Sequence, residues 1–178
     1  VCKLTKIFCD IADKNQIKKF AKKSIVKGFT TNPSLMRKAG AKDYKSYSLD
    51  TLKITKKPIS LEVFADDEVD MIKQGKIINK LGNNVFVKVP ICNSKGKFMG
   101  NVISKLNKEK IKLNITAVYT HRQTKAILSR IDKKTKVIIS IFAGRMSDVG
   151  KDPNPEFKKS IKLVKKNKNV QILWASTC

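Results

Sequence analysis

The chain has 178 residues, enough for one substantial hydrophobic core, and its 41% hydrophobic and 30% charged residues exclude a disordered chain. No apolar stretch approaches the roughly 20 residues that a membrane-spanning helix needs. The net charge of +25 points to nucleic acid as a partner, but only four of the 39 cationic residues are Arg and the lysines are spread along the whole chain. We therefore interpret most lysines as solvated helix faces, which disfavours nucleic acid as the main partner, and expect no membrane association.

Short apolar runs alternate with lysine-rich amphipathic stretches along the chain. The runs predict seven strands, at residues 6–12, 28–31, 59–64, 85–89, 113–119, 137–143 and 170–175. The stretches between them predict six helices, at residues 15–23, 35–38, 67–81, 99–107, 122–131 and 155–166. Strict alternation predicts a parallel α/β sheet in one domain over residues 1–178, as a doubly wound sheet or a (β/α)₈ barrel. The absence of a glycine-rich nucleotide-binding loop disfavours the doubly wound sheet.

Lys88 lies in the predicted fourth strand and is the lysine most closely bracketed by apolar residues. Burial removes the hydration of an ammonium group and favours the neutral amine, which attacks carbonyls to form Schiff bases. A lysine in such a strand could instead extend its charge to solvent or pair with a carboxylate. Position alone leaves these interpretations open.

Polar side chains share one face of the predicted strands, near their carboxyl ends. The opposite face is apolar, as at Leu61, Val87 and Ile115. In a barrel the polar set would converge at the C-terminal mouth, where barrel enzymes place their chemistry. Buried polar groups from several strands indicate a site more economically than they indicate structural pairing. The set is Asp10, Thr30, Asn32, Glu62, Lys88, Asn114, Thr116, Ser140 and Phe142, with Arg145 and Ser176 after the last two strands.

Cysteine and histidine usage argues against a metal site. The four cysteines (Cys2, Cys9, Cys92 and Cys178) form no C-x-x-C pair, and His121 is the single histidine. The first residues contain no secretory apolar region. We expect reduced thiols, a cytoplasmic location and no metal.

Five motifs at the ends of predicted strands resemble those of the transaldolase family. In chain order they are GFTTNPS at 28–34, VFVKVPI at 85–91, LNIT at 113–116, SIFAGR at 140–145 and WAS at 174–176. The resemblance implies a (β/α)₈ TIM barrel, apparently truncated after the seventh strand. It also implies transfer of a dihydroxyacetone unit between sugar phosphates, without a cofactor, in the pentose phosphate pathway.

The same resemblance implies roles for the matched residues. Lys88 would attack the carbonyl of the donor ketose, and Asp10 would move the proton of the C4 hydroxyl during carbon–carbon cleavage. Glu62 and Thr116 would hold the water used to form and hydrolyse the imine. The substrate would be bound by Thr30, Asn32, Asn114, Ser140 and Phe142, and its phosphate by Arg145 and Ser176.

Two alternatives to a transaldolase stay open. Relatives that act as fructose-6-phosphate aldolases, which release dihydroxyacetone, carry Gln where Glu62 stands and Tyr where Phe142 stands. A phenol could hydrogen-bond the catalytic water, whereas Phe cannot, so both residues here resemble the transferase pattern. The other alternative is an inactive basic barrel that binds nucleic acid.

The chain departs from the family pattern at its end. Cys178 stands where the family commonly has a basic residue, and no eighth strand follows it, although about 200 residues is the usual lower limit for this barrel. We expect either a gap between the first and seventh strands or a partner chain that covers it. The full-length protein is expected to be a homo-oligomer.

Overall fold

The structure is a computed structural model that describes residues 5–176, so Cys2 and Cys178 lie outside the described part. Its strands are β1 (Ile7–Asp10), β2 (Val26–Thr30), β3 (Ile59–Glu62), β4 (Val85–Pro90), β5 (Leu113–Val118), β6 (Val137–Ile141) and β7 (Val170–Trp174). Its helices are α1 (Lys14–Ala21), α2 (Pro33–Lys38), α3 (Tyr44–Ile54), α4 (Glu68–Asn79), α5 (Gly100–Lys108), α6 (His121–Leu128), α7 (Ala143–Asp148) and α8 (Asn154–Val164).

The strands form one parallel sheet in which each strand pairs with its neighbour in the chain. The order is β1-β2-β3-β4-β5-β6-β7. A doubly wound sheet reverses its strand order at a switch point, and this sheet has no reversal within residues 5–176. The barrel-type prediction is therefore confirmed. In this part of the chain β1 and β7 are the two edges of the sheet.

Side-chain contacts that skip a strand show that the sheet is curled into a half-barrel. The Nδ2 atom of Asn114 on β5 donates a hydrogen bond to Ser60 Oγ on β3, at 2.9 Å. The Nζ atom of Lys88 on β4 donates to the carbonyl of Thr31, which follows β2, at 3.2 Å. Neighbouring strands lie about 4.8 Å apart, so short side chains on alternate strands meet only where the sheet is concave. The polar residues of the sequence prediction occupy this concave face.

The convex face is apolar and packs against the helices. Leu61, Val87, Val89, Leu113 and Ile115 are all 0% exposed. Burial of these side chains is the main force that holds the helices against the sheet. Side-chain caps then fix where five of the helices begin. The capping residues are Asp13, Asn32, Asp43, Asp67 and Thr120.

Sequence patterning missed two helices. The buried face of α3 includes Ser48 and Thr51 beside Tyr47 and Leu52, so no apolar stripe marks it in the sequence. The short α7 begins directly after β6, and its first residue was assigned to the strand by the apolar pattern. Among residues 5–176, no helix has the length and apolar character needed to cross a membrane.

Candidate active site

Lys88 lies buried at the centre of the concave face, where it is 8% exposed. The strand register places Glu62 of β3 on one side of it and Asn114 of β5 on the other. Its Nζ atom is 3.5 Å from Glu62 Oε2 and donates a hydrogen bond to the carbonyl of Thr31. Lys88 therefore does not extend its charge to solvent, and that interpretation is wrong. It does pair with a carboxylate, that of Glu62.

Glu62 combines burial with two neighbouring charges. Burial raises the pKa of the Glu62 carboxyl, the Lys88 ammonium opposes this increase, and the Asp10 carboxylate adds to it. The pKa of Glu62 is raised although the carboxyl group has an ion-pair partner, because the loss of hydration outweighs the attraction to Lys88. A carboxyl group with a raised pKa exchanges protons closer to neutral pH, as proton-transfer chemistry requires.

Asp10 and Thr30 form a second pair on the same face. The register of β1 and β2 places them side by side, and Thr30 Oγ1 donates a hydrogen bond to Asp10 Oδ1 at 2.8 Å. Asp10 is exposed on its edge strand, whereas Thr30 is 8% exposed. The bond orients the carboxylate while leaving it open to a ligand. Within residues 5–176, no group of three or more His, Cys, Asp and Glu side chains could hold a metal ion.

A buried chain of hydrogen bonds links three strands beside Lys88. Ser140 Oγ of β6 donates to Asn114 Oδ1 at 2.7 Å, and Asn114 Nδ2 donates to Ser60 Oγ of β3 at 2.9 Å. All three residues are at most 2% exposed. The two bonds fix the orientation of the Asn114 amide and leave one of its hydrogens for another acceptor.

Thr116 carries a buried hydroxyl with no hydrogen-bond partner among the described residues. It lies two residues after Asn114 on β5 and therefore projects from the same concave face. Leaving a buried hydroxyl unpaired costs about 1–3 kcal/mol, so such groups in native proteins usually meet water or a ligand. Thr116 is thus equipped to hold a polar atom on this face.

Asn32 and Phe142 lie where a strand meets a helix. Asn32 Oδ1 accepts a hydrogen bond from the Leu35 amide at 2.8 Å and caps α2, so the cap engages the carbonyl oxygen of the side chain and not its nitrogen. Phe142 immediately precedes α7, and its ring contacts Tyr119 edge-on with centroids 5.9 Å apart. Both residues border the carboxyl ends of the strands, as the sequence predicts.

Arg145 and Ser176 lie at the edge of the site rather than within the polar cluster. Arg145 is in α7, with its side chain 66% exposed and Nη1 3.7 Å from Asp148 Oδ2. Ser176 follows β7 and has a left-handed backbone, with φ of 57°. A hydrogen bond of 3.3 Å from the Gly144 amide to the Ala175 carbonyl joins the two segments. Among residues 5–176, no hydrogen bond connects either side chain to Lys88.

The structure adds three residues to which the sequence prediction gave no role. Ser60 and Thr31 contact Asn114 and Lys88, and Tyr44 Oη donates to the backbone carbonyl of Glu62 at 3.0 Å. Ser60 shares the face of Glu62 by parity, and that parity predicts its place on the concave face. Thr31 acts through its backbone carbonyl and Tyr44 lies on the unpredicted α3, so no sequence signal marked either of them.

Comparison with known families identifies the class of this chain. A family model described as Transaldolase/Fructose-6-phosphate aldolase matches residues 7–178. The chain belongs to that family. The motif resemblance that the sequence predicted is confirmed.

Curated relatives agree with this assignment. A protein named "Probable transaldolase" from Methanococcus vannielii is 37% identical over 147 residues, which cover 83% of this chain and 64% of the relative. A protein of the same name from Clostridium botulinum (strain Loch Maree / Type A3) is 35% identical over 145 residues, covering 82% and 63%. The chain thus spans less than two thirds of the length of these relatives.

The solved structure extends the comparison to the fold alone. The 4-hydroxy-tetrahydrodipicolinate synthase of Methylacidiphilum fumariolicum SolV aligns with a TM-score of 0.56 and 7% sequence identity. The alignment covers 97% of this chain and 68% of that enzyme. It supports the TIM-barrel-like arrangement of the strands.

Proposed function

We propose that the chain carries the Schiff-base chemistry of a transaldolase and transfers a dihydroxyacetone unit between sugar phosphates through Lys88. The observation that carries this proposal is the buried Lys88 amine beside Glu62, on a face that also holds the unpaired Thr116 hydroxyl. An amine, a proton-exchanging carboxyl and a place for water are the groups that imine formation and hydrolysis need.

In the proposed first stage, the Lys88 amine attacks the ketone carbon of the donor sugar. The carbinolamine that forms loses its hydroxyl as water, with a proton supplied by Glu62, and leaves a protonated imine. The raised pKa of Glu62 supports this role because its protonated form persists to higher pH than that of an ordinary glutamic acid. The Thr116 hydroxyl would hold the departing water, and later the water that hydrolyses the imine.

In the second stage, Asp10 accepts the proton of the C4 hydroxyl and the C3–C4 bond breaks. The electron pair of that bond forms the C2=C3 double bond while the imine π electrons move to the nitrogen, which gives an enamine, and the shortened aldose leaves. The enamine then attacks the aldehyde carbon of an acceptor aldose, which forms a new carbon–carbon bond and restores the imine. Asp10 returns the proton to the new hydroxyl. The bond from Thr30 to Asp10 supports this assignment because it orients the carboxylate without covering it.

Substrate binding is assigned to the polar groups around the amine and at the strand ends. The buried amide of Asn114, oriented by Ser140, suits the hydroxyls of the dihydroxyacetone unit, as does the free amide nitrogen of the Asn32 side chain. Arg145 suits a phosphate because its guanidinium is exposed and can donate two parallel hydrogen bonds. Ser176 would complete the phosphate site, and Thr30 and Phe142 would line the substrate site.

The experiment is chemical trapping of the intermediate. The protein is incubated with fructose 6-phosphate, reduced with borohydride and mapped by mass spectrometry. We expect one reduced adduct, on Lys88, and none in Lys88→Met. Lys112→Met is a matched control because Lys112 is also partly buried, and burial lowers the pKa of its ammonium.

Three outcomes would contradict the proposal or refine it. An adduct on Lys112, or an undiminished yield from Lys88→Met, would remove Lys88 from the mechanism. If dihydroxyacetone is released without an aldose acceptor, the activity is that of a fructose-6-phosphate aldolase. If no adduct forms while the fold is intact, the inactive-barrel alternative holds.

A further inference from the structure

A cavity of about 950 Å³ lies at the end of the sheet opposite to Lys88. Each strand contributes a residue near its start, which is the residue just before the strand in six cases and the second residue of the strand in β2. These residues are Lys6, Lys27, Pro58, Asn84, Lys112, Lys136 and Asn169. The concave-face side chains of Phe8, Phe86 and Ile138 also line it. Because Phe86 precedes Lys88 by two residues on the same face, this N-terminal cavity lies one layer below the candidate active site.

Lysine is concentrated in the lining of the N-terminal cavity. Eight of its nineteen lining residues are Lys, and none of the lining residues within the described range is Asp or Glu. The chain as a whole has 14 acidic residues, so this lining departs from the average composition in both respects. Lysines that are far apart in the sequence are gathered here because the starts of parallel strands meet at one end of the sheet.

Two acidic residues close in sequence to the lining lysines pair with lysines outside the lining. Asp132, which precedes the lining residues Lys133 and Lys134, accepts a bond of 2.7 Å from Lys110 Nζ and further bonds from the loop that follows it. Glu109 pairs with Lys76 at 2.5 Å. Neither carboxylate is paired with the ammonium group of a lining lysine.

One of the cavity lysines, Lys112, shows the effect of burial and of a neighbouring like charge. Burial, followed by repulsion from Lys136, lowers the pKa of Lys112. The Lys112 ammonium donates a hydrogen bond to the Asn83 carbonyl and lies 5.3 Å from the centroid of the Phe86 ring. Both partners are uncharged, so the positive potential of the cavity remains available to an anion.

We propose that the N-terminal cavity binds a compact anion that carries three or more phosphate groups. Its volume falls within the range of roughly 300–1,000 Å³ that is typical of small-molecule sites. Lysine ammonium groups bind phosphate as point charges, whereas reading of nucleic-acid bases favours Arg, which is absent from the lining residues described. The apolar lining residues Phe8, Phe86 and Ile138 lower the local dielectric constant and strengthen each contact with a phosphate.

The test is titration calorimetry with inorganic tripolyphosphate. The variant Lys136→Gln/Lys168→Gln removes two exposed cavity lysines, and its circular dichroism should match that of the unsubstituted protein. We expect one site per chain and about a tenfold or greater loss of affinity in this variant. The matched control is Lys73→Gln/Lys80→Gln, which removes two exposed lysines in and beside α4 and should change the affinity less than about twofold.

Three results would overturn the proposal. Equal losses in both variants would mean that tripolyphosphate responds only to net charge. Loss of binding in Arg145→Gln would place the anion at the other end of the sheet. Tighter binding of a mixed single-stranded oligonucleotide, with the same dependence on Lys136 and Lys168, would make nucleic acid the ligand. The proposal does not rest on the chemistry of Lys88, so failure of either proposal leaves the other intact.

Discussion

At the scale of single residues, the notable arrangement is an amine and a carboxyl group that share a buried surface. Lys88 and Glu62 have side chains 10% and 19% exposed, and their charged atoms are 3.5 Å apart. Burying such a pair costs hydration that the attraction between the charges does not fully return. A hydrophobic pair would fill the same space at lower cost. The arrangement therefore favours a chemical role over a purely stabilising one.

The raised pKa of Glu62 leads to a prediction for the pH dependence of turnover. In the proposed imine hydrolysis, the ionised Glu62 would accept a proton from the attacking water. The rate should then rise with pH through a pKa above the ordinary value of 4.5, because burial favours the protonated form. In Glu62→Gln this acidic limb should disappear, and kcat should fall by about 10²–10⁴-fold.

The matched control for this prediction is Glu109→Gln. Glu109 is a surface residue that pairs with Lys76, outside the site. Its pH profile and kcat should equal those of the unsubstituted protein. An acidic limb that persists in Glu62→Gln would assign the titrating group to another residue.

At the scale of elements, close approach between β1 and β2 depends on a glycine. The Phe8 ring of β1 lies across Gly28 of β2, where an added Cβ would be 2.3 Å from Phe8 Cε1 and 3.0 Å from the Pro58 carbonyl. These strands also carry Asp10 and Thr30, two residues further along in each case. The packing of Phe8 on Gly28 thus supports the geometry of the Asp10–Thr30 pair.

We expect Gly28→Ala to lower the free energy of unfolding by about 1–3 kcal/mol, because overpacking displaces the ring or the strand. Denaturant unfolding measures this change. In a Phe8→Ala background the ring is absent, so the same substitution should cost clearly less. An equal cost in both backgrounds would attribute the loss to the Pro58 carbonyl or to the backbone instead of the ring.

At the scale of the whole molecule, charge is strongly unbalanced. The chain has 39 cationic and 14 acidic residues, so most cations have no carboxylate available to neutralise them. Repulsion between like charges destabilises a compact state, and dissolved salt screens it. Stability should therefore depend on ionic strength.

We expect the thermal midpoint to rise as NaCl increases from about 20 to 300 mM, corresponding to on the order of 1 kcal/mol in the free energy of unfolding. The variant Lys18→Gln/Lys22→Gln/Lys73→Gln/Lys80→Gln removes four exposed charges and should show a smaller rise. A midpoint that falls with salt would mean that attractive ion pairs outweigh the repulsion.

The sequence alone determined the class of fold and most of the candidate site. The seven strands and the polar face were predictable because side-chain alternation is a local property of the chain. Lys88 was identifiable for the same reason, since its apolar neighbours in β4 are its neighbours in sequence. The motifs that mark the family are likewise short segments at strand ends.

Tertiary structure decided which of these residues meet. The pairing of Lys88 with Glu62 and the bond from Asn114 to Ser60 depend on register and curvature across several strands, which no local pattern encodes. The position of α3, and of Tyr44 upon it, also depends on tertiary packing, because α3 carries no apolar stripe.

The lysines of the N-terminal cavity are scattered in the sequence. They come together only because the starts of the strands converge at one end of a parallel sheet. Packing thus joins residues that the chain keeps far apart.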